Sequence, residues 1–245
     1  TLFYFFSIYI LSSFLSTGGL KHEALKIYSL IKAENINGAR CNLSSLAGRD
    51  TENLSSSEIS RAVVESVSEN TGDGIGSVIF YFALGATVSL VATISIYHAT
   101  KHVQLYLTIF SGLLSSIIYK TANLLDSIVG YRNEQYEKFG KFSARLDDIL
   151  NFIPFRITAF FMMLSIFILS ITLNNFKKQS KEKNNIYNIK DALLSFIKYR
   201  KNHPSPNGGQ LESVAAGALN IKLGGVNYYN GIESRRPVIG FEDYS

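Results

Sequence analysis

The feature that most constrains this sequence is where charge is missing. No formally charged residue lies between Asp73 and Lys101, between Lys101 and Lys120, or between Arg156 and Lys177, and the last of these runs is dense in Phe, Ile, Leu and Met. A helix crossing the hydrocarbon of a bilayer needs about 20 mostly apolar residues. The three intervals therefore predict spans at about 77–97, 103–119 and 157–174. Residues 1–16, with Phe3, Phe5, Phe6, Ile8, Ile10 and Leu11, predict a fourth. With no starting Met, basic leader or small-residue cleavage pattern, this run reads as the tail of a span whose beginning is absent, not as a signal peptide. The expected fold is all-α: a polytopic integral membrane protein forming a single domain over 1–245, with extramembrane helices and loops carrying the polar motifs.

The charge balance, Lys+Arg 24 against Asp+Glu 19 for a net +5, does not point to nucleic acid. Basic residues gather beside the apolar runs, as at Lys177, Lys178, Lys181 and Lys183, where they anchor spans in a lipid bilayer and bias their orientation. No nucleic-acid motif accompanies them. The single Cys41 excludes an intrachain disulfide and any multi-cysteine zinc site.

Gly18-Gly19 ends the first apolar run, and a polar region extends to about Gly76. Within it Ser55 and Glu58 fit a capping box, Ser55 accepting from the Glu58 N–H while Glu58 reaches back. A helix over 56–70 should follow, with Ile59, Ala62, Val63 and Val67 at helical spacing and Arg61, Glu65 and Glu69 on another stripe. Gly72, Gly74 and Gly76 are expected to break it. The span at 103–119 is expected to run on to Val129, carrying a polar stripe of Lys120, Asn123, Asp126 and Ser127 that is unfavourable against lipid and should line a cavity or pack on polar elements. Gly130 to Pro154 reads as a charged, aromatic loop, and 174–190 as a Lys/Asn-rich linker. A short amphipathic helix is expected from Asp191 to about Lys198, followed by glycine-punctuated segments at 205–209 and 224–231. If every apolar block crosses once, 18–76 and 120–154 share a side and the C-terminal third lies opposite. One site uniting all three then requires a re-entrant or in-plane block, or a site at membrane depth.

Three constellations carry chemistry. Glu65, Glu69 and Asp73 stand beside the glycine turn at a spacing that lets carboxylates share a divalent cation, although spacing alone favours a solvated helix face paired with Arg61. Asp147-Asp148 after Arg145 suits metal–phosphate binding or a structural ion pair. His203-Pro204-Ser205-Pro206-Asn207-Gly208 presents an imidazole, a hydroxyl and an amide on a backbone that proline fixes and glycine frees. No phosphate-binding G-x-x-x-x-G-K-[ST] loop or dinucleotide pattern occurs, so nucleotide use leaves no motif.

Taken in order, these residues resemble a known family. Gly48-Arg49-Asp50-Thr51, Arg61-Ala62-Val63-Val64-Glu65, Glu69-Asn70 and Asp73-Gly74 are similar to the first signature of the CobD/CbiB family of adenosylcobinamide-phosphate synthases. Tyr119-Lys120, Asn123, Leu125-Asp126-Ser127 and Val129-Gly130-Tyr131, continuing into Phe139-Gly140, Ser143-Ala144-Arg145, Asp147-Asp148, Asn151 and Pro154, resemble the second. His203, Ser205-Pro206-Asn207, Ala216-Gly217-Ala218-Leu219, Leu223-Gly224-Gly225, Asn227, Tyr229, Arg236-Pro237 and Ile239-Gly240 resemble the third. The family's early His-Pro motif and its hydrophobic segment after Pro-x-Ile-Gly have no counterpart here, and Thr87 to Ile118 is longer than the family's usual connection.

The resemblance implies a membrane enzyme of cobalamin biosynthesis that joins a propionate carboxylate of adenosylcobyric acid to the amine of (R)-1-amino-2-propanol or its O-phosphate, using ATP and Mg²⁺. The corrinoid and the aminopropanol (phosphate) are the implied partners, with other membrane enzymes of the pathway beside them. Under that resemblance Glu65, Glu69, Asp73 and Asp126 are metal candidates, and Asp147, Asp148, Lys120 and His203 are catalytic candidates, His203 as acceptor of the amine proton. Arg49, Asp50, Asn70, Asn123, Tyr131, Arg145, Ser205, Asn207, Asn227 and Arg236 are the substrate-binding candidates. A membrane transporter whose polar stripe lines a substrate path is the alternative.

Overall fold

The computed structural model describes residues 2–96, 101–129, 137–177 and 188–241. Four helical stretches, Leu2–Lys32, Ser56–Ile94, Leu105–Val129 and Gly140–Thr172, are long and apolar enough to cross a membrane. Each overlaps most of one of the four expected spans. Large side chains such as Val88, Ile94, Ile118 and Phe160 stand more than half exposed along them, an arrangement suited to lipid rather than water. The chain is a helical membrane protein.

The chain divides into two compact units, Thr1–Thr17 with Gly72–Pro154 and Gly18–Thr71 with Phe155–Ser245. In the first unit, α1 (Leu2–Phe14) packs on α6 (Lys101–Val129), with Phe3 and Tyr106 rings 4.5 Å apart. α5 (Ser77–Ile96) forms a tight hairpin with α6, in which Gly112 and Gly85 permit close approach. A Cβ on Gly112 would fall 2.9 Å from the Phe82 carbonyl oxygen. Small residues at such points are how membrane helices gain packing energy when lipid tails are as apolar as the side chains.

The second unit contains α2 (Thr17–Lys32), α3 (Ile36–Leu43), α4 (Ser56–Thr71), the C-terminal part of α7 (Glu137–Lys177), α8 (Ile189–Tyr199) and α9 (Gly208–Leu219). An antiparallel hairpin of β1 (Leu223–Tyr229) and β2 (Ile232–Ile239) completes it, adding a small strand element to the expected all-α fold. Ile27, Ala39, Leu43, Ile59 and Ala62 form one core. Phe155, Ala159 and Ile166 of α7 form another with Ala192, Leu211, Val214 and Ala218. Every residue of α9 from Gly208 to Ala218 is buried, because its small side chains allow near backbone contact with α8: a Cβ on Gly217 would lie 2.6 Å from Ser195 Cβ. Burying Leu211 and Val214 fully contributes about 1.5–3 kcal/mol each.

Local sequence logic survives in several elements. The capping box forms, with the Ser55 N–H donating to Glu58 Oε2 at 2.8 Å and the Glu58 N–H donating to Ser55 Oγ at 3.3 Å. α6 runs on to Val129, and α8 spans the expected amphipathic segment with Leu193, Leu194 and Ile197 exposed. Two expectations are corrected. The glycines after α4 do not break the helix, since Gly72–Gly76 forms a π-helical turn leading into α5. The stretch read as loop from Gly130 to Pro154 is helical from Glu137 onward, with Pro154 inside α7. Arg145, Leu146 and their neighbours are good helix formers, and a proline inside a membrane helix is tolerated where neighbouring groups satisfy the freed backbone.

Residues 18–71 and 188–241 pack together within the second unit. Three single crossings by α5, α6 and α7 would put them on opposite sides of a bilayer. Their contact therefore requires either that one of those helices does not cross fully or that the contact lies at membrane depth.

Candidate functional site

Each unit holds a buried polar cluster. In the first, the centre is Asn151 on α7, 1% exposed. Its Nδ2 donates to Asp73 Oδ1 and to Asp147 Oδ2, both at 2.9 Å, so one amide ties together two carboxylates from different signatures. Its Oδ1 accepts from Ser77 Oγ at 2.7 Å and from Tyr119 Oη at 2.9 Å. The two carboxylates, which only accept when ionised, require Nδ2 to face them, which fixes the amide's orientation with Oδ1 toward the hydroxyls. The Asn123 Nδ2 donates to Asp147 Oδ1 at 3.1 Å, while its Oδ1 accepts from Lys120 Nζ at 2.8 Å. Lys120 thus stands among the carboxylates of Asp73 and Asp147, whose charges act on it. The Tyr81 ring stacks on Tyr119 at 4.9 Å and closes one side. The i, i+4 pairs Tyr119/Asn123 and Asp147/Asn151 each present two groups from one helix face, and the π-helical turn presents Asp73 to both.

The second unit's cluster joins the first and third signatures. Glu65, 2% exposed, accepts from Arg49 Nη2 through Oε2 at 2.5 Å and from the Gly224 N–H through Oε1 at 2.7 Å. Gly224 sits at an irregularity in the β1–β2 pairing with φ +80°, a left-handed conformation natural to glycine. Its carbonyl accepts from Arg61 Nη1. Asn227 Oδ1 accepts from Arg49 Nη1 at 2.7 Å and from Arg61 Nη2 at 3.2 Å. Two guanidinium donors fix which end of the Asn227 amide is oxygen, which leaves Nδ2 buried without a hydrogen-bond partner among the described residues. Asp50 works on the outside, its carboxylate accepting from the Asn230 and Gly231 N–H groups at 3.0 and 2.7 Å and clasping the hairpin turn.

His203 and Glu212 complete this cluster. The side chains are 6% and 2% exposed, with Nε2 and Oε1 3.5 Å apart. That geometry would suit an ion pair, yet both groups are driven toward neutrality. Burial and then the Arg236 charge lower His203 to about 4, while burial and the neighbouring Glu65 and Glu69 raise Glu212 to about 8. At neutral pH the contact is between an uncharged imidazole and a protonated acid. Arg236 lies 3.4 Å from His203 Nε2 and donates to Tyr229 Oη at 2.8 Å. Nδ1 lies 3.0 Å from the Ser205 N–H and 3.3 Å from its carbonyl oxygen, so either imidazole tautomer finds a partner. A Cβ on Gly208 would meet the His203 ring at 2.6 Å. Glycine there lets the ring lie against the start of α9.

The expected residues thus fall into two groups. Asp73, Lys120, Asn123 and Asp147 meet in the first unit, with Asp148 beside Asp147 in sequence and acting on it electrostatically. Asp126 is half-buried one turn along α6, and Arg145 is exposed on α7. Arg49, Glu65, Asn227, His203, Ser205 and Arg236 meet in the second. Asn207 is buried at the start of α9, Asn70 returns its amide to the Ser66 carbonyl, and Glu69 is exposed on α4. Tyr131 lies outside the described residues. The four expected metal ligands are divided, Glu65 and Glu69 in one unit, Asp73 and Asp126 in the other. Among the described residues no three of His, Cys, Asp and Glu gather closely enough to hold a metal alone. Asp73 and Asp147 are two carboxylates held to one amide, and one or two is the number that Mg²⁺ takes from protein when it is bound to phosphates.

Glu212 was missed, although the sequence marks it. It is the one ionisable residue in a helix otherwise made of Gly, Ala, Leu, Val, Ser and Gln, and a helix apolar on all sides is a buried one.

Comparison with known proteins places the chain in a family. The family model described as CobD/Cbib protein matches residues 1–245. Cobalamin biosynthesis protein CobD of Clostridium perfringens is 39% identical over 226 residues, covering 92% of this chain and 58% of the relative. The protein of the same name from Leptospira interrogans is 35% identical over 96% of this chain and 61% of its own length, and that of Clostridium tetani 34% over 98% and 62%. The chain therefore spans about three fifths of the length of these relatives. No solved structure matches it. With a match across its whole length and every signature residue quoted above in sequence order, the chain belongs to the CobD/CbiB family.

Proposed function

We propose that the chain is the core of a multi-pass enzyme of the cytoplasmic membrane that acts in cobalamin biosynthesis. It forms the amide between a propionate carboxylate of adenosylcobyric acid and the amine of (R)-1-amino-2-propanol or its O-phosphate, at the expense of ATP. Family membership supports this reading, and one observation carries it: residues of the first and third signatures, 159 to 178 positions apart, share one buried ionic network through Arg49, Glu65, Gly224 and Asn227. A network of charges with an orphaned Asn227 amide N–H is unfavourable as mere scaffolding, at about 1–3 kcal/mol for the unmet donor. A bound acceptor would satisfy it.

A free carboxylate is a poor acyl donor. In the proposed sequence its oxygen attacks the γ-phosphorus of ATP and ADP leaves. The amine nitrogen then attacks the acyl carbon, inorganic phosphate leaves, and the amine proton passes to a base. Mg²⁺ held by Asp73 and Asp147 together with the phosphates would neutralise their charge. Lys120, among the same carboxylates, is suited to a phosphate oxygen, and Arg49 and Arg236 to planar anions. His203 is uncharged at neutral pH, the form a proton acceptor needs.

The test is amide formation by the full-length protein from adenosylcobyric acid, ATP and the amine, followed by mass spectrometry. Asp147→Asn and His203→Ala should each lower the rate by about a hundredfold or more, the range of general acid–base contributions. Rates equal to the unaltered protein in both would remove these residues from the mechanism. Movement of unmodified substrate across sealed vesicles, without amide product, would favour a transporter instead.

A further inference from the structure

We infer that the cavity at the N-terminal end of α9 binds the phosphoryl group of a small soluble phosphate compound. The cavity encloses about 460 Å³ and takes three positive charges, from Arg156 on α7, Arg200 at the end of α8, and Lys201. None of its lining residues is acidic. Arg156 and Arg200 act on one another as like charges across the cavity they both line, so an anion there is attracted by both. His203 contributes a ring that is uncharged at neutral pH, Ser205 a hydroxyl, and Gln210 an amide on a residue 4% exposed.

The local backbone adds to the charges. Ser205 and Pro206 lie just before Asn207, the N-cap of α9, and Gln210 lies in the first turn, so the positive end of the helix is beside the same space. Gly209 makes the arrangement possible, because a Cβ there would collide with the Arg200 carbonyl oxygen and push the end of α8 away from the start of α9. The volume lies at the low end of small-molecule pockets, about 300–1,000 Å³. That holds a phosphate ester or a polyphosphate chain and is too small to enclose a corrin macrocycle.

A phospholipid headgroup offers the same phosphate chemistry, and Arg156 directly precedes the charge-free run of α7. The soluble source is favoured by the far wall. His203 lines the cavity and also touches Glu212 and Arg236, so an anion bound here lies against the buried network. The site deepens the proposed reaction by naming where a phosphorylated reactant is held, and rests on that reading only for the ligand's purpose.

The test uses the full-length protein in phosphate-free maltoside micelles, titrated calorimetrically with tripolyphosphate, with 1-amino-2-propanol O-phosphate and its unphosphorylated parent, and with dihexanoylphosphatidylglycerol. At least one of the two soluble phosphates should bind with an affinity that falls as salt rises, and the unphosphorylated amine should not. Arg200→Ala and Lys201→Ala should each weaken binding about tenfold, the loss of one charge-assisted hydrogen bond. Arg200→Lys should retain most of it, and Arg235→Ala, at an exposed pair with Glu233, should change nothing. Unaltered affinity in both alanine variants, or binding of the lipid probe alone, would overturn the assignment. Phosphate binding without amide formation would refute the proposed reaction and leave the site standing. Amide formation with phosphate binding indifferent to Arg200 and Lys201 would do the reverse.

Discussion

The two polar clusters are built by opposite strategies. That of the first unit is a hydrogen-bond network in which amides stand between the charged groups, drawn from helices at i, i+4 spacing: Tyr119 with Asn123, Asp147 with Asn151. That of the second is ionic, drawn from a loop, a helix and a hairpin, and its partners are separated by as many as 178 residues. Amide bridges between membrane helices are individually weak, because the alternative arrangements also find partners. A buried guanidinium–carboxylate pair is strongly dependent on its mate, because either member left alone is an uncompensated charge.

The difference predicts a ranking of effects, all measurable as thermal unfolding of the full-length protein in maltoside micelles. Glu65→Ala strands Arg49 and should destabilise by about 3–5 kcal/mol, whereas the double change with Arg49→Met should recover much of that loss. Glu212→Gln tests the same cluster through pH. Because the folded protein holds the Glu212 proton up to about 8, its contribution is intact below the ordinary carboxyl value and is lost as pH rises through 8. The Gln variant, which cannot ionise, should therefore match the parent near pH 5 and unfold at a higher temperature above pH 8. His203 runs the other way: lowered to about 4, it stabilises the fold above its ordinary value and ceases to as pH falls toward 4. Asn151→Leu in the first unit should cost about 2.4 kcal/mol, since its four bonds are of the weak intramembrane kind at about 0.6 kcal/mol each. An equal or larger loss than for Glu65→Ala would reverse the comparison. Ser55→Ala, removing a solvent-exposed cap, should cost about 1 kcal/mol.

The same difference explains what the sequence disclosed. The spans, the capping box, the run-on of α6 and the amphipathic α8 are all periodic or local, and each is visible within a window of some twenty residues or fewer. The first cluster is half legible for the same reason: Lys120, Asn123 and Asp126 stand out as a polar stripe, whereas Ser77, Tyr81 and the amide link from Asp73 to Asp147 carry no such mark. The second could not be assembled by spacing at all. Nothing in the neighbourhood of Glu65 says that its partners are Arg49 and a backbone N–H on β1. The helical start of α7 was obscured by composition, because charged and aromatic residues from Glu137 to Ile153 look like a loop when read without regard to their helix-forming tendency. The hairpin was marked only by its glycines, which signal turns without saying what they connect.

Gly224 has a consequence for how this protein tolerates change. The backbone of one residue reads both signs of charge, offering its N–H to a carboxylate and its carbonyl to a guanidinium. Charged side chains can be exchanged in matched pairs, but no side chain can stand in for a backbone, and any Cβ at this position would run into the Pro237 carbonyl. In a saturation library this glycine should therefore be the least replaceable residue of the ionic cluster, more rigidly demanded than the charges it serves.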